Sequence, residues 1–290
     1  MKKILMAILS LALACGIGFG LVACGGSEYA VNVSGGGSGV GINGAKEGTL
    51  DMGMASSNVT GEDAEGIEVY AICRDGIAVV VNNANELDNL TIAQLTAIYT
   101  GQITNWSEVE GATATGAIAI GQREDGSGTR DAFLELIQIE DATTLATAAN
   151  TAGSTGAMME YVAGNPAAIG YISLGSLDET VSAVKVEGVE ATAENVLAGD
   201  YTLARPFNVM YKQETLESND LLADFLTFLK SKQAHDIIVA EKYVSGLSTA
   251  AEYTVPATLP TTMEIDVGGS TSVQPLMVKL ADAYTALLNA

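Results

Sequence analysis

The residues with the clearest chemical potential lie in one segment, 121–137, which reads GQREDGSGTRDAFLELI. Ser127, Gly128 and Thr129 precede a helical pattern, and the first backbone N–H groups of a helix have no partners within it. Those groups and the helix dipole together favour bound anions. Arg123 could add a guanidinium, whose planar fork fits a tetrahedral oxyanion. The alternative is an ordinary capped helix after a tight turn, since Ser, Thr, Asp and Gly are common capping residues.

Two further segments repeat this pattern of a glycine-rich turn followed by a helix. Residues 34–44 read SGGGSGVGING and place Ser38 at a predicted helix start, with glycines that let a ligand approach the backbone. Residues 268–288 follow the strand-like MEIDV and carry the run GSTS before an amphipathic helix. Glycine-rich turns before helices are common, so neither segment is specific alone. Three of them in one chain favour a shared anion site.

The other elements are short β-rich runs that alternate with helical ones, which predicts an α/β fold with parallel sheets and helical crossovers. In such folds ligands bind beyond the carboxyl ends of strands, where loops meet helix N-termini. The predicted strands are 29–33, 49–55, 67–72, 76–81, 117–120, 168–172, 181–186 and 207–211; the predicted helices are 90–99 and 221–230, with a weak helical pattern over 143–161 and a linker-like stretch over 254–262.

The first 24 residues have the features of a bacterial lipoprotein leader. Two lysines precede an apolar stretch, 4–20, and the sequence LVAC ends at Cys24. We therefore predict a signal peptide over 1–23, lipidation of Cys24 and a lipid-anchored location on the extracytoplasmic face of the cell membrane. Cys15 fits the cleavage pattern less well. The alternative to cleavage is an uncleaved membrane anchor.

The chain is strongly acidic. Its formal net charge is −22 over 290 residues, and loss of the two leader lysines makes it −24. This charge argues against nucleic acid as a partner, but not against a small anion, because a buried site answers to its local donors. Cys73 is the only cysteine besides Cys24 in the mature chain, which predicts no internal disulfide. A single histidine, His235, argues against a His-based metal cluster or catalytic triad.

Long stretches of the sequence resemble the phosphate-binding proteins of phosphate ABC transporters. TGQITNW (100–106) and REDGSGTR (123–130) are the most specific, and SGGGSGVGI, LDMGMASS, IGYISL, ARPFNVMY and LTFLKSKQAHDIIVAEKY are also similar to that family. The resemblance covers nearly the whole mature chain. It implies a two-domain, periplasmic-binding-protein-like (type II) α/β fold with a ligand cleft between the lobes. It also implies a lipoprotein that binds inorganic phosphate and delivers it to ABC transporter permease subunits, without cofactors and without enzymatic activity.

The resemblance further implies lobes and ligand residues. We expect lobe I to comprise 24–81 and 202–290, and lobe II to comprise 82–201. The phosphate-binding residues that it places in this chain are Ser38, Asp51, Arg123, Ser127, Gly128, Thr129, Thr271 and Ser272.

Asp51 is expected to determine selectivity. A carboxylate that faces a dianion is repulsive unless the ligand carries a proton that it can donate. Phosphate carries such a proton and sulfate at neutral pH does not, so a buried carboxylate would reject sulfate. The alternative for Asp51 is a turn residue at a strand end. Asp125 is expected to orient Arg123 rather than to touch the ligand.

The order of the elements is unusual. In the family the GST loop and its helix precede the SGGGSG turn, whereas this chain ends with them. That order indicates a circular permutation in which 263–290 supplies the family's first strand and helix. We expect this element to reach its own sheet through 254–262. The alternatives are a swapped dimer, in which 263–290 enters a neighbouring molecule, and a remnant of a lost repeat.

Two other functions would use the same motifs. A phosphoryl-transfer enzyme would need a base or metal near Ser127, and the sequence has no His or Cys cluster to supply one. A phosphate-sensing or adhesion lipoprotein of the same fold is the other alternative. Of the remaining residues, Trp106 is expected to pack under a loop, and Arg130 to pair with surface acids.

Overall fold

The computed structural model describes residues 28–147 and 149–290, so the leader predictions, including Cys24, lie outside the described residues. Ten strands are found in the described part of the chain. They are β1 Ala30–Gly35, β2 Met52–Ala55, β3 Glu68–Val81, β4 Asn89–Leu90, β5 Ala119–Arg123, β6 Asn150–Ala152, β7 Ala168–Ser173, β8 Ser182–Val186, β9 Ala204–Tyr211 and β10 Glu264–Gly269.

Nine α-helices accompany these strands within the described residues, and most begin with a side-chain cap. Thr91 forms a capping box with Gln94 at the start of the helix Ile92–Tyr99. Asn219 caps the helix Asp220–Leu229 through the N–H of Leu222. The helices are α1 Ser38–Glu47, α2 Ile92–Tyr99, α3 Gly128–Leu136, α4 Thr155–Gly164, α5 Ala193–Ala198, α6 Gln213–Ser218, α7 Asp220–Leu229, α8 Lys232–Ala240 and α9 Gln274–Leu288.

The strands form one mixed sheet in the order β1-β10-β2-β9-β3-β7-β5-β6, with β8 beside β3 and β4 beside β8. The predicted parallel pairing is found at both ends, among β1, β10 and β2 and among β5, β6 and β7. It is wrong in the middle, where β9 and β3 run antiparallel to each other and to their outer neighbours. Strands β3 and β9 pair directly over a long register, and an antiparallel pair needs no crossover helix.

Strand β3 joins two strands that the sequence predicts separately, 67–72 and 76–81. The strand continues through the polar pair Arg74–Asp75, with one register shift between Ala71 and Cys73. Asp75 is 1% exposed and lies opposite Arg205 in the ladder, so an ion pair compensates its burial.

Two large hydrophobic cores lie along the sheet. One is formed by buried residues between positions 77 and 203, and the other by residues of β2, of the first half of β3 and of positions 207–288. Trp106 is fully buried in the first core, and its indole N–H donates to Ala167 O, as expected for packing under a loop. Strands β3 and β9 therefore connect two separately packed regions, which is the arrangement that a two-lobe fold requires.

The C-terminal element completes the sheet of its own chain. Strand β10 lies between β1 and β2 and is parallel to both, and α9 buries Leu276, Leu280 and Tyr284 in the second core. Strand β1 and the end of α9 lie side by side, because Tyr29 N donates to Asn289 Oδ1 (2.9 Å) and Asn289 Nδ2 donates to Tyr29 O (3.1 Å). This intramolecular arrangement is the one expected for a circular permutation.

The segment that leads into β10 is fixed by Asp220 at the start of α7. Its carboxylate accepts hydrogen bonds from Thr261 N (2.6 Å), Thr261 Oγ1 (2.8 Å) and Thr262 N (2.9 Å). The two backbone N–H donors hold the pKa of Asp220 well below its usual range. Ionised Asp220 therefore helps to hold the returning chain against the second core.

We predict that Asp220→Asn lowers the free energy of unfolding more at pH 7 than at pH 3. A carboxyl group whose pKa is lower in the folded state stabilises the fold above its unfolded pKa of about 3.9, and this contribution is lost as the pH falls further. Urea unfolding of both proteins at the two pH values measures the difference. Asp282→Asn, an exposed site on α9, is the control and should follow the wild type at both pH values. Equal destabilisation by Asp220→Asn at pH 3 and pH 7 would contradict this role.

Candidate functional site

Four loop–helix junctions meet around the side chain of Arg123. Two belong to the region of the second core, at the start of α1 and in the loop before α9, and two belong to the first, at the starts of α3 and α4. We call the polar residues that they bring together the anion cluster, comprising Ser38, Ser56, Arg123, Ser127, Gly128, Thr129, Thr155, Ser270, Thr271 and Ser272.

Arg123 ends strand β5, and its side chain is only 1% exposed. Nε donates to Ala152 O (3.2 Å), and Nη2 donates to Thr271 Oγ1 (3.1 Å) from the far end of the chain. The only hydrogen bond of Nη1 within the described residues is a long one of 3.4 Å to Thr155 Oγ1. A buried cation requires compensation, and Nη1 is the part of this guanidinium with donor capacity left.

The carboxylate that orients Arg123 is Glu124, not Asp125 as predicted. Glu124 Oε2 accepts from Nε and Oε1 accepts from Nη2, both at 2.8 Å, in a bidentate pair. The side chain of Asp125 is 95% exposed and pairs with Arg130 instead. The expected pairing of Arg130 with a surface acid is thus confirmed.

Hydroxyl groups from both regions bond to one another across the cluster. Ser272 Oγ lies 2.8 Å from Thr129 Oγ1 and 3.0 Å from Thr155 Oγ1, and all three residues are buried. On the other side, Ser38 Oγ accepts from Ser56 N (3.1 Å) and Ser270 Oγ donates to Ser56 Oγ (2.9 Å). A hydroxyl can donate or accept, so this set can turn its O–H groups towards an anion.

Backbone donors complete the set. The first N–H groups of α3 and α4 have no acceptor within their own helices. Ser127 and Ser154 each cap one N–H, those of Arg130 and Ala157, and Ser270 Oγ accepts from Ser272 N (3.2 Å) and Val273 N (3.4 Å) before α9. Gly37 provides no side-chain cap for α1. Several helix starts with their positive dipole ends therefore point at the same small volume as Arg123.

The starts of α1 and α3 approach so closely that only glycine fits between them. Gly39 N donates to Gly126 O (3.0 Å) across the gap. A Cβ atom added to Gly128 would overlap Ser38 Oγ and lie 3.0 Å from Ser57 Oγ. The two regions are thus in direct contact at the cluster, in a closed arrangement.

Asp51 does not lie in the cluster, so the prediction that it faces the ligand is wrong. It precedes β2, where its carboxylate accepts from Asp266 N (2.9 Å) and Asn219 Nδ2 (3.2 Å). The cluster lies at the carboxyl end of this strand, and four strand residues separate the two ends by about 13 Å. The alternative for Asp51, a turn residue at a strand end, agrees with its position at a bend directly before β2.

The structure brings together the other seven predicted residues and adds some that the sequence reading missed. Ser56 and Ser57 follow the carboxyl end of β2, the position where ligand-binding loops occur in α/β folds, and this signal could have found them. Thr155 was hidden within the weak helical pattern over 143–161. The structure resolves that stretch into β6, a turn capped by Ser154 and helix α4.

A buried ion pair lies directly behind the cluster, where β3 and β9 pair side by side. Arg205 donates to Asp75 Oδ2 through Nε (3.3 Å) and Nη2 (3.1 Å), and through Nη1 to Ser56 O (3.0 Å). Burial raises the pKa of Asp75 to about 6, although the charge of Arg205 acts in the opposite direction. Arg205 on β9 thus connects Asp75 on β3 with the loop that follows β2.

Other features of the described residues do not compete with this site. A cavity of about 660 Å³ between α5 and α8 is lined largely by apolar side chains and shares no residue with the anion cluster. In the part of the chain that the structure describes, no three His, Cys, Asp or Glu residues are grouped as metal ligands would be. No helix among these residues has the length and apolarity needed to cross a membrane.

Comparisons with known proteins agree on one family. The family model described as PBP superfamily domain matches residues 11–233. The phosphate-binding protein PstS 2 of Streptococcus pneumoniae serotype 4 is 39% identical over 186 residues, which are 62% of this chain and 62% of that protein. The phosphate-binding protein PstS of Bacillus subtilis is 31% identical over 220 residues, 73% of this chain and 69% of that protein. The match thus spans less than two thirds of the S. pneumoniae relative.

Solved structures are similar as well. A protein from Clostridium perfringens, crystallised with bound phosphate and assigned as a phosphate ABC transporter substrate-binding protein, is 36% identical with a TM-score of 0.69, over 74% of this chain and 99% of that chain. An ABC-type phosphate transport receptor from Vibrio cholerae is 36% identical with a TM-score of 0.60, over 72% and 85% of the two chains.

We predict that Gly128→Ala separates the starts of α1 and α3. The added methyl group overlaps Ser38, and relief of such overpacking weakens the Gly39–Gly126 hydrogen bond. In phosphate buffer, the Gly39 amide should exchange its hydrogen about tenfold faster or more. Gly153→Ala is the matched control, because its Cβ would meet nothing within 4 Å, and it should leave the exchange rate unchanged. Identical Gly39 protection in both variants would show that the contact does not depend on Gly128.

Proposed function

This chain belongs to the PBP superfamily and, within it, to the phosphate-binding proteins, and on that premise we propose that it binds inorganic phosphate in the cleft between two lobes and delivers it to the permease of an ABC transporter. The observation that carries the proposal is the grouping of buried Arg123 with six other expected ligand residues, from sequence positions as distant as 38 and 272. No local fold requirement explains that convergence of donors.

In this proposal phosphate is held without its water shell. Arg123 Nη1 supplies the charge, the N–H groups at the starts of α1, α3 and α4 supply neutral donors, and the hydroxyls of Ser38, Thr129 and Ser272 turn towards the phosphate oxygens. Hydrogen bonds that involve a charged group contribute about 1.5–3 kcal/mol each. A micromolar complex needs about −8 kcal/mol net, so several such bonds can also offset desolvation and the ordering of the closed state.

Phosphate binding and lobe closure are coupled in this account. The donors come from both regions, so a bound anion contacts all of them only when the regions are together, and it favours the closed state by that difference in contacts. We propose 24–81 with 202–290 as lobe I and 82–201 as lobe II, with β3 and β9 as the connecting strands. A swapped dimer through 263–290 would place the same donors in a paired molecule, and sedimentation of the mature chain separates a monomer from that dimer.

The principal test is calorimetric titration of the mature chain, residues 24–290, with inorganic phosphate. We predict a dissociation constant in the micromolar range or below, and a loss of about 100-fold or more in Arg123→Met, because the buried charge and several of its hydrogen bonds are removed together. Arg130→Met is the matched control, since Arg130 pairs with exposed Asp125, and it should bind as the wild type does. Failure of the wild type to bind phosphate would contradict the proposal.

An assay of phosphate release by the same mature chain distinguishes binding from catalysis. A binding protein releases no inorganic phosphate from a simple phosphate monoester, whereas a phosphoryl-transfer enzyme would do so with turnover. Sustained phosphate release that Ser127→Ala abolishes would replace our proposal with the enzyme.

We further propose that the chain is exported, lipidated on Cys24 and held on the extracytoplasmic face of the membrane. Cys24→Ser should then move the protein from the membrane fraction to the soluble extracytoplasmic fraction and abolish incorporation of labelled fatty acid. Cys15→Ser lies in the same leader and is the control. If Cys15→Ser alone abolishes labelling, the lipidated residue is Cys15.

A further inference from the structure

We propose that Arg205 and Asn208, two buried residues of β9, are positioning residues for phosphate binding, which hold the loop after β2 in place without touching the ligand. This inference rests on the proposed phosphate binding and adds the support on which one side of the anion cluster depends. Each residue acts through a backbone carbonyl group of that loop, Arg205 through Ser56 and Asn208 through Ser57.

The hydrogen-bond ladder between β2 and β9 ends where this loop begins. Strand β2 ends at Ala55, which pairs with Asn208. Beyond that pair, side chains of β9 bond to the loop instead: Arg205 Nη1 donates to Ser56 O (3.0 Å), and Asn208 Nδ2 donates to Ser57 O (2.8 Å). Both hydrogen bonds are buried, so loss of either donor leaves a carbonyl group without a partner or moves the loop.

The loop matters because Ser56 joins the start of α1 to the loop before α9. Its N–H donates to Ser38 Oγ (3.1 Å). On the other side, Ser270 Oγ accepts from Ser272 N (3.2 Å) and Val273 N (3.4 Å), so its own O–H is left to donate to Ser56 Oγ (2.9 Å). The position of Ser56 therefore determines how the hydroxyl groups of Ser38 and Ser270 are oriented in the anion cluster.

Asp75 fixes the direction of the Arg205 side chain. The two residues lie opposite each other in the ladder between β3 and β9, and Asp75 Oδ2 accepts from Nε (3.3 Å) and Nη2 (3.1 Å). The guanidinium also lies over the Phe207 ring, 5.4 Å from its centroid. Because a guanidinium is planar and rigid, these contacts leave Nη1 directed at Ser56 O. A lysine at this position keeps the charge but lacks the fork that bonds to Asp75 and Ser56 together.

The test is calorimetric titration of the mature chain, residues 24–290, with inorganic phosphate. Arg205→Lys and Asn208→Ala should each weaken phosphate binding by about tenfold or more, because loss of one buried hydrogen bond releases the loop. Asn208 carries no charge, and Arg205→Lys keeps the positive charge. Wild-type affinity in Arg205→Lys would show that Arg205 supplies charge rather than position, and would overturn the proposal.

Tyr201→Phe is the matched control for loss of stability. It removes a buried hydrogen bond to Ile77 O (2.8 Å), which lies on β3 and not on the loop. This variant should unfold at a lower urea concentration and keep the wild-type dissociation constant for phosphate. A loss of affinity in Tyr201→Phe equal to that in Asn208→Ala would show that general destabilisation weakens binding, which would contradict the positioning role.

A double-mutant cycle shows whether the two residues act through Ser56. Ser56→Ala removes the hydroxyl that bonds to Ser270, so Arg205→Lys should reduce the affinity by a smaller factor in that background than in the wild type. Factors that multiply independently would contradict the proposal. If Arg205→Lys does not fold, Asn208→Ala serves in the same cycle.

The two levels of the account fail differently. Wild-type affinity in both Arg205→Lys and Asn208→Ala would overturn this inference and leave phosphate binding intact. Absence of phosphate binding by the wild type would overturn the proposed function itself.

Discussion

The burial of one guanidinium is the constraint on which the site depends. Arg123 is almost completely removed from water, so its charge must be compensated within the protein or by a ligand. Glu124 and Ala152 occupy one edge of the guanidinium, and Thr271 shares its Nη2. The remaining donor faces hydroxyls that can reorient. An anion bound there would lie between the fixed guanidinium and hydroxyls that can turn towards it.

The fold places that guanidinium where two regions meet. Strand β5 delivers Arg123 from the first core, while β10 and its following loop deliver Thr271 and Ser272 from the second. Because β10 lies between β1 and β2, the last segment of the chain is also structurally central, and the site cannot be complete before it is in place. The hydrogen bonds between Tyr29 and Asn289 hold β1 beside the end of α9 in this arrangement.

The sequence predicted much of this structure, for physical reasons that differ by element. Glycine-rich turns before amphipathic patterns are local signals, and the helices that begin at Ser38 and Gly128 were found from them. The antiparallel pairing of β3 with β9 joins residues far apart in the sequence, and no local pattern encodes it. Asp51 was misplaced because it precedes strand β2, whereas the anion cluster lies at the other, carboxyl end of that strand. Glu124 was overlooked because the sequence alone could not tell which of two adjacent acids points at Arg123.

We infer that one anion lies between Arg123 and the helix starts of both regions. The most direct measurement is a crystal structure of the mature chain with phosphate at a resolution that identifies the ligand. We predict a tetrahedral density within hydrogen-bonding distance of Arg123 Nη1, the start of α3 and the loop at Thr271, with Asp51 outside contact range. Phosphate bound elsewhere, for example in the apolar cavity between α5 and α8, or in contact with Asp51, would contradict the account.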